Sequence, residues 1–480
     1  MSALKVDLLI GNEAVATRNY TEVRDPGRFA DVVGLVAEAA PEEVDQAVKA
    51  AHAAFPAWSA TTLEQRSARL EKAAQLLESI ADRVAAVVVG ETGMLPSDIK
   101  AEIMGSAFAI RDNIEAAQEF LKPKQVEDEA SWVSVEKVPI GVIAAFVPWN
   151  APIVLMIRKL APALVSGNTI VIKSPPQAPL GLGLLLNEVA ALFPAGVINV
   201  VHGGNSVGQA LAAHPLIGKI SFTGGGKAAT EIMKTAAIGI KGVQFELGGN
   251  DPAIVLDDAD LDRLMPTLVA GAFHRSGQFC FAIKRIYVPE AMYDRFFERM
   301  GQELAKVRVG HQADARTTFG PVNNANQFAY VKALVERARA SGCEVTEYGE
   351  RVDPEHWDEG YYLRPALVRR PNAKSEIVTC EQFGPVVPIL AYDTEDEVIA
   401  MANDTEYGLG SSIWTSNFER GVAVAREIES GMTFINRNAQ SRLGRRHMPF
   451  GGVKQSGIGT ENSELGMAEY VEYHAINYHK

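Results

Sequence analysis

The sequence predicts an α/β fold organised around parallel, doubly wound sheets, with a second α/β unit following the first. Between residues 141 and 223 four short apolar runs alternate with stretches of helical length, the pattern of strands joined by crossover helices. From about residue 250 a further series of apolar runs and helical stretches begins. At 480 residues the chain is also too long for one ordinary core, so two or three domains are expected.

Residues 41–58 read as a helix: Pro41 suits the first turn, and Val44, Ala47, Val48, Ala51 and Phe55 share one face. A longer helix follows. Thr62 with Gln65 resembles a capping box, Leu70, Ala73, Leu77, Ile80 and Val84 form a stripe, and Glu91-Thr92-Gly93 closes the run. The opening region therefore reads as mostly helical, without evident chemistry. Lys122-Pro123-Lys124 starts a charged stretch, and residues 132–138 alternate like a strand. That segment fits a surface hairpin and an intersubunit arm equally well. Strands are expected over 141–147, 168–173, 197–201 and 219–223, with helices over 155–165, 181–192 and 206–213. In the second unit, 251–256, 285–288, 386–390 and 433–436 read as strands and 331–341 as a helix.

Composition narrows the function classes. Hydrophobic residues make up 47% and charged residues 22%, ordinary for a soluble globular chain. A formal net charge of −13 argues against a general role on nucleic acid, whose binders present a basic surface. No apolar run is long enough to span a bilayer, and the first residues lack a signal-peptide pattern, so a cytoplasmic protein is expected. The three cysteines, Cys280, Cys343 and Cys380, do not make a disulfide framework. They suit a reducing compartment in which a thiol is free to act. The nine histidines are scattered without metal-ligand spacing, so no metal site is expected.

Ligands of doubly wound sheets bind beyond the carboxyl ends of the strands. Those positions hold Pro148-Trp149-Asn150, Lys173-Ser174-Pro175-Pro176, His202-Gly203-Gly204-Asn205 and Thr223-Gly224-Gly225-Gly226. Small, polar and cationic types dominate, as a nucleotide site requires. There is no GxGxxG fingerprint, and the glycine turn at 203–208 lacks the Gly-Lys-Ser/Thr ending of an NTPase loop. Two further segments carry chemistry. Gln244-Phe245-Glu246-Leu247-Gly248-Gly249-Asn250 supplies a carboxylate, whose apolar neighbours Phe245 and Leu247 are expected to raise its pKa. Ser276-Gly277-Gln278-Phe279-Cys280 supplies a thiol. A thiol nucleophile and a carboxylate base are what two-step acyl chemistry needs: covalent capture of a carbonyl, then release by water.

Taken together, these segments resemble the aldehyde dehydrogenase superfamily over nearly the whole chain. The shared motifs include Pro148-Trp149-Asn150, Lys159, Pro162-Ala163-Leu164, Gly167-Asn168, Lys173, Phe222-Thr223-Gly224, Glu246-Leu247-Gly248-Gly249, Gly277-Gln278-Phe279-Cys280 and Lys284-Arg285. They continue through Glu381-Gln382-Phe383-Gly384-Pro385-Val386, Asn403, Tyr407-Gly408-Leu409 and the run from Pro449 to Gly457. The resemblance implies a Rossmann-like dinucleotide-binding domain over 1–120 and 140–248, and an α/β catalytic domain over 249–449. It implies a small oligomerisation arm and tail over 121–139 and 465–480, and a homodimer or homotetramer.

The implied activity is NAD(P)-dependent oxidation of an aldehyde to a carboxylic acid. Cys280 is the implied nucleophile, passing through a thiohemiacetal and a thioester. The Asn150 side chain and the Cys280 backbone N–H are the implied oxyanion donors. Glu246 is the implied base for the hydrolytic water, and its presence favours water over coenzyme A as acyl acceptor. A CoA-acylating semialdehyde dehydrogenase and a non-catalytic binding relative of the same fold are the alternatives.

For the cofactor, the resemblance assigns Lys173 to the adenosine ribose, Thr223, Gly224 and Gly225 to the pyrophosphate, and Glu381 to the nicotinamide ribose. It places Phe383 near the nicotinamide ring and Trp149 in the pocket beside it. Many NAD-preferring members carry a glutamate three residues after the lysine; here Pro176 stands there, so the charge that excludes NADP is missing. NAD is the expected cofactor, because no arginine near Ser174 recruits a 2′-phosphate, and NADP stays open.

Phe279, Phe281, Trp149 and Met156 point to an apolar or aromatic tunnel beside the thiol. Arg437, Arg442, Arg445 and Arg446 form a basic patch ahead of Pro449. A semialdehyde whose carboxylate meets Arg437, Arg442 or Arg445 fits this patch, an aromatic aldehyde fits the tunnel, and an interface role fits the arginines as well.

Overall fold

Two large sheets carry the fold, and alternation along their strands decides what each face buries. The structure, a computed structural model, describes residues 4–480, with the side chains of Arg442 and Arg445 outside the described residues. In the first sheet five parallel strands lie in the order Gly242–Glu246, Ile217–Thr223, Val142–Phe146, Thr169–Lys173, Ile198–Val201. Leu8–Ile10 and Glu13–Val15 extend one edge antiparallel, and Gly457–Ile458 extends the other. Val142, Ala144 and Phe146 pack into a core with residues of helices Pro41–Ser59, Asn205–Ala213 and Gly226–Ile238. Ile143 and Ala145 pack into the opposite core with helices Leu63–Thr92, Pro96–Phe120, Pro152–Val165 and Leu180–Ala190. Burial on both faces is why these strands read as continuous apolar runs. The strand order reverses at Val142–Phe146, so a crevice opens between its carboxyl end and that of Ile217–Thr223.

The second sheet has seven strands: Glu344–Glu347, Ala366–Arg369, Val386–Tyr392, Ile283–Pro289, Asp251–Val255, Gly410–Trp414 and Met432–Ile435 in spatial order. All pairs are parallel except the first. A third, antiparallel sheet stands apart from these two: Val471–His479 pairs along the whole of Ser131–Pro139, and Lys124–Glu127 takes that strand's other edge. The segment around 132–138 thus receives the chain's own tail. Among the described residues no helix is long and apolar enough to cross a membrane.

Local signals hold where they rest on caps. Thr62 and Gln65 exchange backbone and side-chain hydrogen bonds at 3.0 and 3.3 Å, and Gly93 ends that helix in the left-handed region, at φ 74°. The mostly helical reading fails before residue 41, where residues 4–37 form five strands. Their exposed and buried positions follow no regular alternation, and Val6, Val23 and Val36 form only a small cluster with Leu180, so they carry little periodic signal. Gly410–Trp414 escapes sequence reading for a different reason. It is wholly buried, and its hydroxyls disguise it: Ser411 bonds Thr433 at 2.7 Å, and Ser412 accepts from the Trp414 indole at 2.9 Å.

Candidate active site

A cavity of roughly 980 Å³ is walled by the helices Pro96–Phe120, Pro152–Val165 and Leu261–Phe273 and by the loops that follow Leu261–Phe273 and Met432–Ile435. Asn150 and Cys280 share its wall with Phe279 and Phe281. Asn150 follows Val142–Phe146 and precedes the helix Pro152–Val165. Its Nδ2 donates to the Gln278 carbonyl at 3.2 Å, tying it to the loop that carries Cys280. That loop leaves the helix Leu261–Phe273 through three left-handed residues, Arg275 (φ 52°), Ser276 (φ 57°) and Gly277 (φ 72°). Gly277 is required there: a Cβ would stand 2.5 Å from the Gly384 carbonyl oxygen, so this loop and the one carrying Phe383 pack backbone to backbone.

Glu246 ends its strand behind the cavity wall, 2% exposed, and neither carboxylate oxygen has a hydrogen-bond partner among the described residues. Burial holds its carboxyl well above the ordinary value, and the nearby Glu461 carboxylate adds to this, while Lys159 and Arg158 oppose it. Phe245 and Leu247 pack into the core with Phe222. Lys159 is fully buried and bonds Glu461 at 2.8 Å and Ser221 at 3.2 Å.

Burial pushes the Cys280 thiol up to about 12. Lys284 pulls hardest the other way, Glu246 and Asp251 push the thiol further up, and Arg158 opposes them. Lys284 donates to the Cys280 carbonyl at 2.6 Å and lies 3.6 Å from Glu381.

On the far side of Cys280 lie the residues assigned to a dinucleotide. Glu381 accepts the Gly249 N–H at 3.1 Å, and burial raises its carboxyl while Lys284 lowers it. Phe383, itself left-handed at φ 46°, meets Trp149 edge-on at 5.6 Å. Lys173 ends its strand with an ammonium that burial pulls down to about 8. The Thr223 hydroxyl is buried without a partner, and nothing lies within 4 Å of where a Cβ would stand on Gly225 or Gly226, at the start of the helix Gly226–Ile238. An orphaned hydroxyl, open backbone at a helix N-terminus, a cation and a carboxylate together fit an adenine dinucleotide. Ser174 is committed elsewhere, at 2.6 Å from His202 Nδ1, and Pro176 is exposed.

The substrate-side expectations divide. Phe279, Phe281 and Arg437 line the cavity. Met156 does not: it is 1% exposed in the core beneath, and its helical neighbour Leu155 takes the cavity wall. Trp149 packs against Phe383 and not among the cavity-lining residues. The Arg442 and Arg445 side chains lie outside the described residues. Arg446 pairs with Glu115, whereas Arg263 and Arg437 carry no ion pair among the described residues. Sequence reading missed Arg158, which lines the cavity with its guanidinium over the Phe450 ring, 4.6 Å from the centroid. Two adjacent cations, Arg158 and Lys159, in an otherwise apolar helix were its signal.

The aldehyde dehydrogenase family model matches residues 14–476. The chain belongs to the aldehyde dehydrogenase family. Similar solved structures cover essentially the whole chain. Lactaldehyde dehydrogenase from Escherichia coli is 33% identical, with 99% of each chain covered and a TM-score of 0.93. An NADP-dependent enzyme from E. coli is 32% identical, covering 99% of this chain and 98% of its own, at 0.94. Betaine aldehyde dehydrogenase from Staphylococcus aureus, solved with NAD⁺, is 28% identical, covering 99% and 95%, at 0.94. This aldehyde dehydrogenase is an NAD(P)-dependent oxidoreductase acting on the aldehyde group.

Proposed function

We propose that this enzyme oxidises an aldehyde to a free carboxylic acid through a covalent Cys280 intermediate hydrolysed with the help of Glu246. The observation that carries it is the convergence of Asn150 and Cys280 on one cavity wall, with an unpartnered, buried Glu246 carboxylate behind. The Cys280 thiolate adds to the carbonyl carbon. The oxyanion formed takes hydrogen bonds from the Cys280 N–H and from the Asn150 amide, whose other hydrogen the Gln278 carbonyl holds. A bound nicotinamide dinucleotide would supply the hydride acceptor for oxidation of the thiohemiacetal to a thioester. Glu246 then takes a proton from water as the water attacks, the C–S bond breaks to free the carboxylic acid, and the proton on Glu246 passes to the departing Cys280 sulfur. A raised carboxyl makes Glu246 a stronger base once ionised.

The cofactor is held by Lys173, Thr223, the glycines at 224–226 and Glu381, with Phe383 and Trp149 at the nicotinamide end. NAD is the favoured cofactor: Pro176 does not exclude a 2′-phosphate, yet the hydroxyl of Ser174 is turned to His202. The eight-stranded sheet is the dinucleotide domain, the seven-stranded sheet the catalytic domain, and the three-stranded sheet the arm of a cytoplasmic homo-oligomer.

The substrate is an aldehyde with an aromatic or apolar body and a distal carboxylate. Phe279 and Phe281 wall the cavity near the thiol, and Arg437 and Arg263 supply unpaired charge in its lining. The test follows reduced-cofactor absorbance with NAD and NADP over a panel of neutral, aromatic and carboxylate-bearing aldehydes. Cys280→Ala is expected to be inactive, and Glu246→Gln to give a burst of one equivalent and then stop. Full turnover by Glu246→Gln, or product formation only with coenzyme A, would sink the hydrolytic reading. Equal losses on charged and neutral aldehydes in Arg437→Ala would remove the carboxylate contact.

A further inference from the structure

We propose that Glu102 and Arg275 are positioning residues: a buried ion pair that fixes Asn150 against the Cys280 loop. The proposal rests on Asn150 acting as an oxyanion donor. Glu102 lies within the helix Pro96–Phe120, its side chain 1% exposed; that of Arg275 is 9% exposed. Arg275 Nη2 stands 2.7 Å from Glu102 Oε2. The other carboxylate oxygen accepts the backbone N–H groups of Ile153 and Val154 at 2.8 and 3.0 Å, in the first turn of Pro152–Val165. Arg275 Nη1 donates to the Asn150 carbonyl at 2.7 Å, and Nη2 reaches the Asp98 carbonyl at 3.4 Å.

Three elements therefore meet in this pair: the helix bearing Glu102, the turn bearing Asn150 and the loop bearing Cys280. Asn150 is held from two sides, its amide on the Gln278 carbonyl and its own carbonyl on Arg275. Both anchors belong to the nucleophile loop, so oxyanion donor and thiol move as one body. Arg275 is also the first of the left-handed residues in that loop, and Ser276 is tied in turn to the Gly320 carbonyl at 2.8 Å. Such backbone persists only where its surroundings over-determine it. A hydrophobic pair of similar volume would stabilise the fold as well as a buried ion pair. It would lack the bonds to Asn150 and to the helix N–H groups, which are the ones that set the site.

The test is a double-mutant cycle on full-length enzyme, with one aldehyde and the better of NAD and NADP. Arg275→Gln and Glu102→Gln are each expected to lower kcat roughly 10- to 100-fold, the scale of an ångström-sized misplacement. Arg275→Lys is expected to recover part of the loss, and cofactor Kd to stay within about twofold in all three. In the Asn150→Ala background the same substitutions are expected to cost about twofold or less, because the side-chain amide they position is gone, although the backbone carbonyl that Arg275 bonds remains. Equal fold-losses in the two backgrounds overturn the proposal while leaving Asn150 as oxyanion donor. Unchanged kcat in Asn150→Ala alone overturns that assignment and the proposal with it. If Arg275→Gln does not fold, Glu102→Gln decides the cycle, since its amide oxygen still accepts from the helix N–H groups.

Discussion

A thiol pushed up to about 12 is a poor nucleophile at neutral pH, since the thiolate is the reacting species. Ligand-free enzyme is therefore expected to be alkylated at Cys280 about tenfold faster per pH unit between about pH 7 and 10, without a plateau. A plateau near neutrality, measured with iodoacetamide, contradicts that expectation. Lys284→Met removes the strongest opposing charge, so its alkylation is expected to be slower at every pH. Gly248 gives a second residue-scale prediction. A Cβ there would lie 2.0 Å from a Glu381 carboxylate oxygen, so Gly248→Ala displaces that carboxylate. Cofactor Kd is expected to rise about tenfold or more, the loss of one charged hydrogen bond, while Cys280 alkylation is unchanged. An unaltered Kd would detach Glu381 from the cofactor.

Between elements, buried carboxyl groups do the joining. Glu91, at the end of Leu63–Thr92, is 1% exposed and accepts the N–H groups of Leu180 and Gly181 at 2.7 and 2.8 Å, in the first turn of Leu180–Ala190. Burial outweighs those two bonds and raises its carboxyl from 4.5 to about 8. Between these values the folded chain holds a proton that the unfolded chain has lost. The unfolded state binds fewer protons, so this group's contribution to stability falls as pH rises through the window and levels off above it. Glu91→Gln is expected to flatten the fall in apparent Tm between about pH 5 and 8 relative to wild type. Parallel slopes for the two proteins would show that Glu91 is not the source. Little of this was legible beforehand. Glu91 read as part of a helix end, and nothing local singles out Glu102 or Arg275, because each finds its partner dozens to more than a hundred positions away.

At the scale of the whole molecule, the tail is the exposed joint. Nine residues, Val471–His479, pair along Ser131–Pro139, and outward-facing Tyr473, Ile476 and Tyr478 remain exposed. Removing residues 471–480 is expected to bare the edge of Ser131–Pro139 and drive loss of the proposed homo-oligomer or aggregation, read by size-exclusion chromatography. An unchanged elution volume and solubility would exclude the tail from assembly. Most strands of the large sheets were legible because both faces are buried; the five strands of residues 4–37 were not, because their burial follows no regular alternation.

What the sequence by itself determined is the chemistry: a thiol at 280, a carboxylate at 246 and an amide at 150 within family motifs, and the alternation of strands and helices around them. Those follow from local residue types and from periods a few residues long. Only the tertiary structure decided how the groups are tuned and held. Glu246 is raised by burial and by Glu461, Leu155 and Arg158 face the cavity where Met156 does not, and Glu102 reaches Arg275. The physical reason is range: desolvation and ion pairing depend on which distant segments fold together, and helical phase decides which side chain meets the cavity.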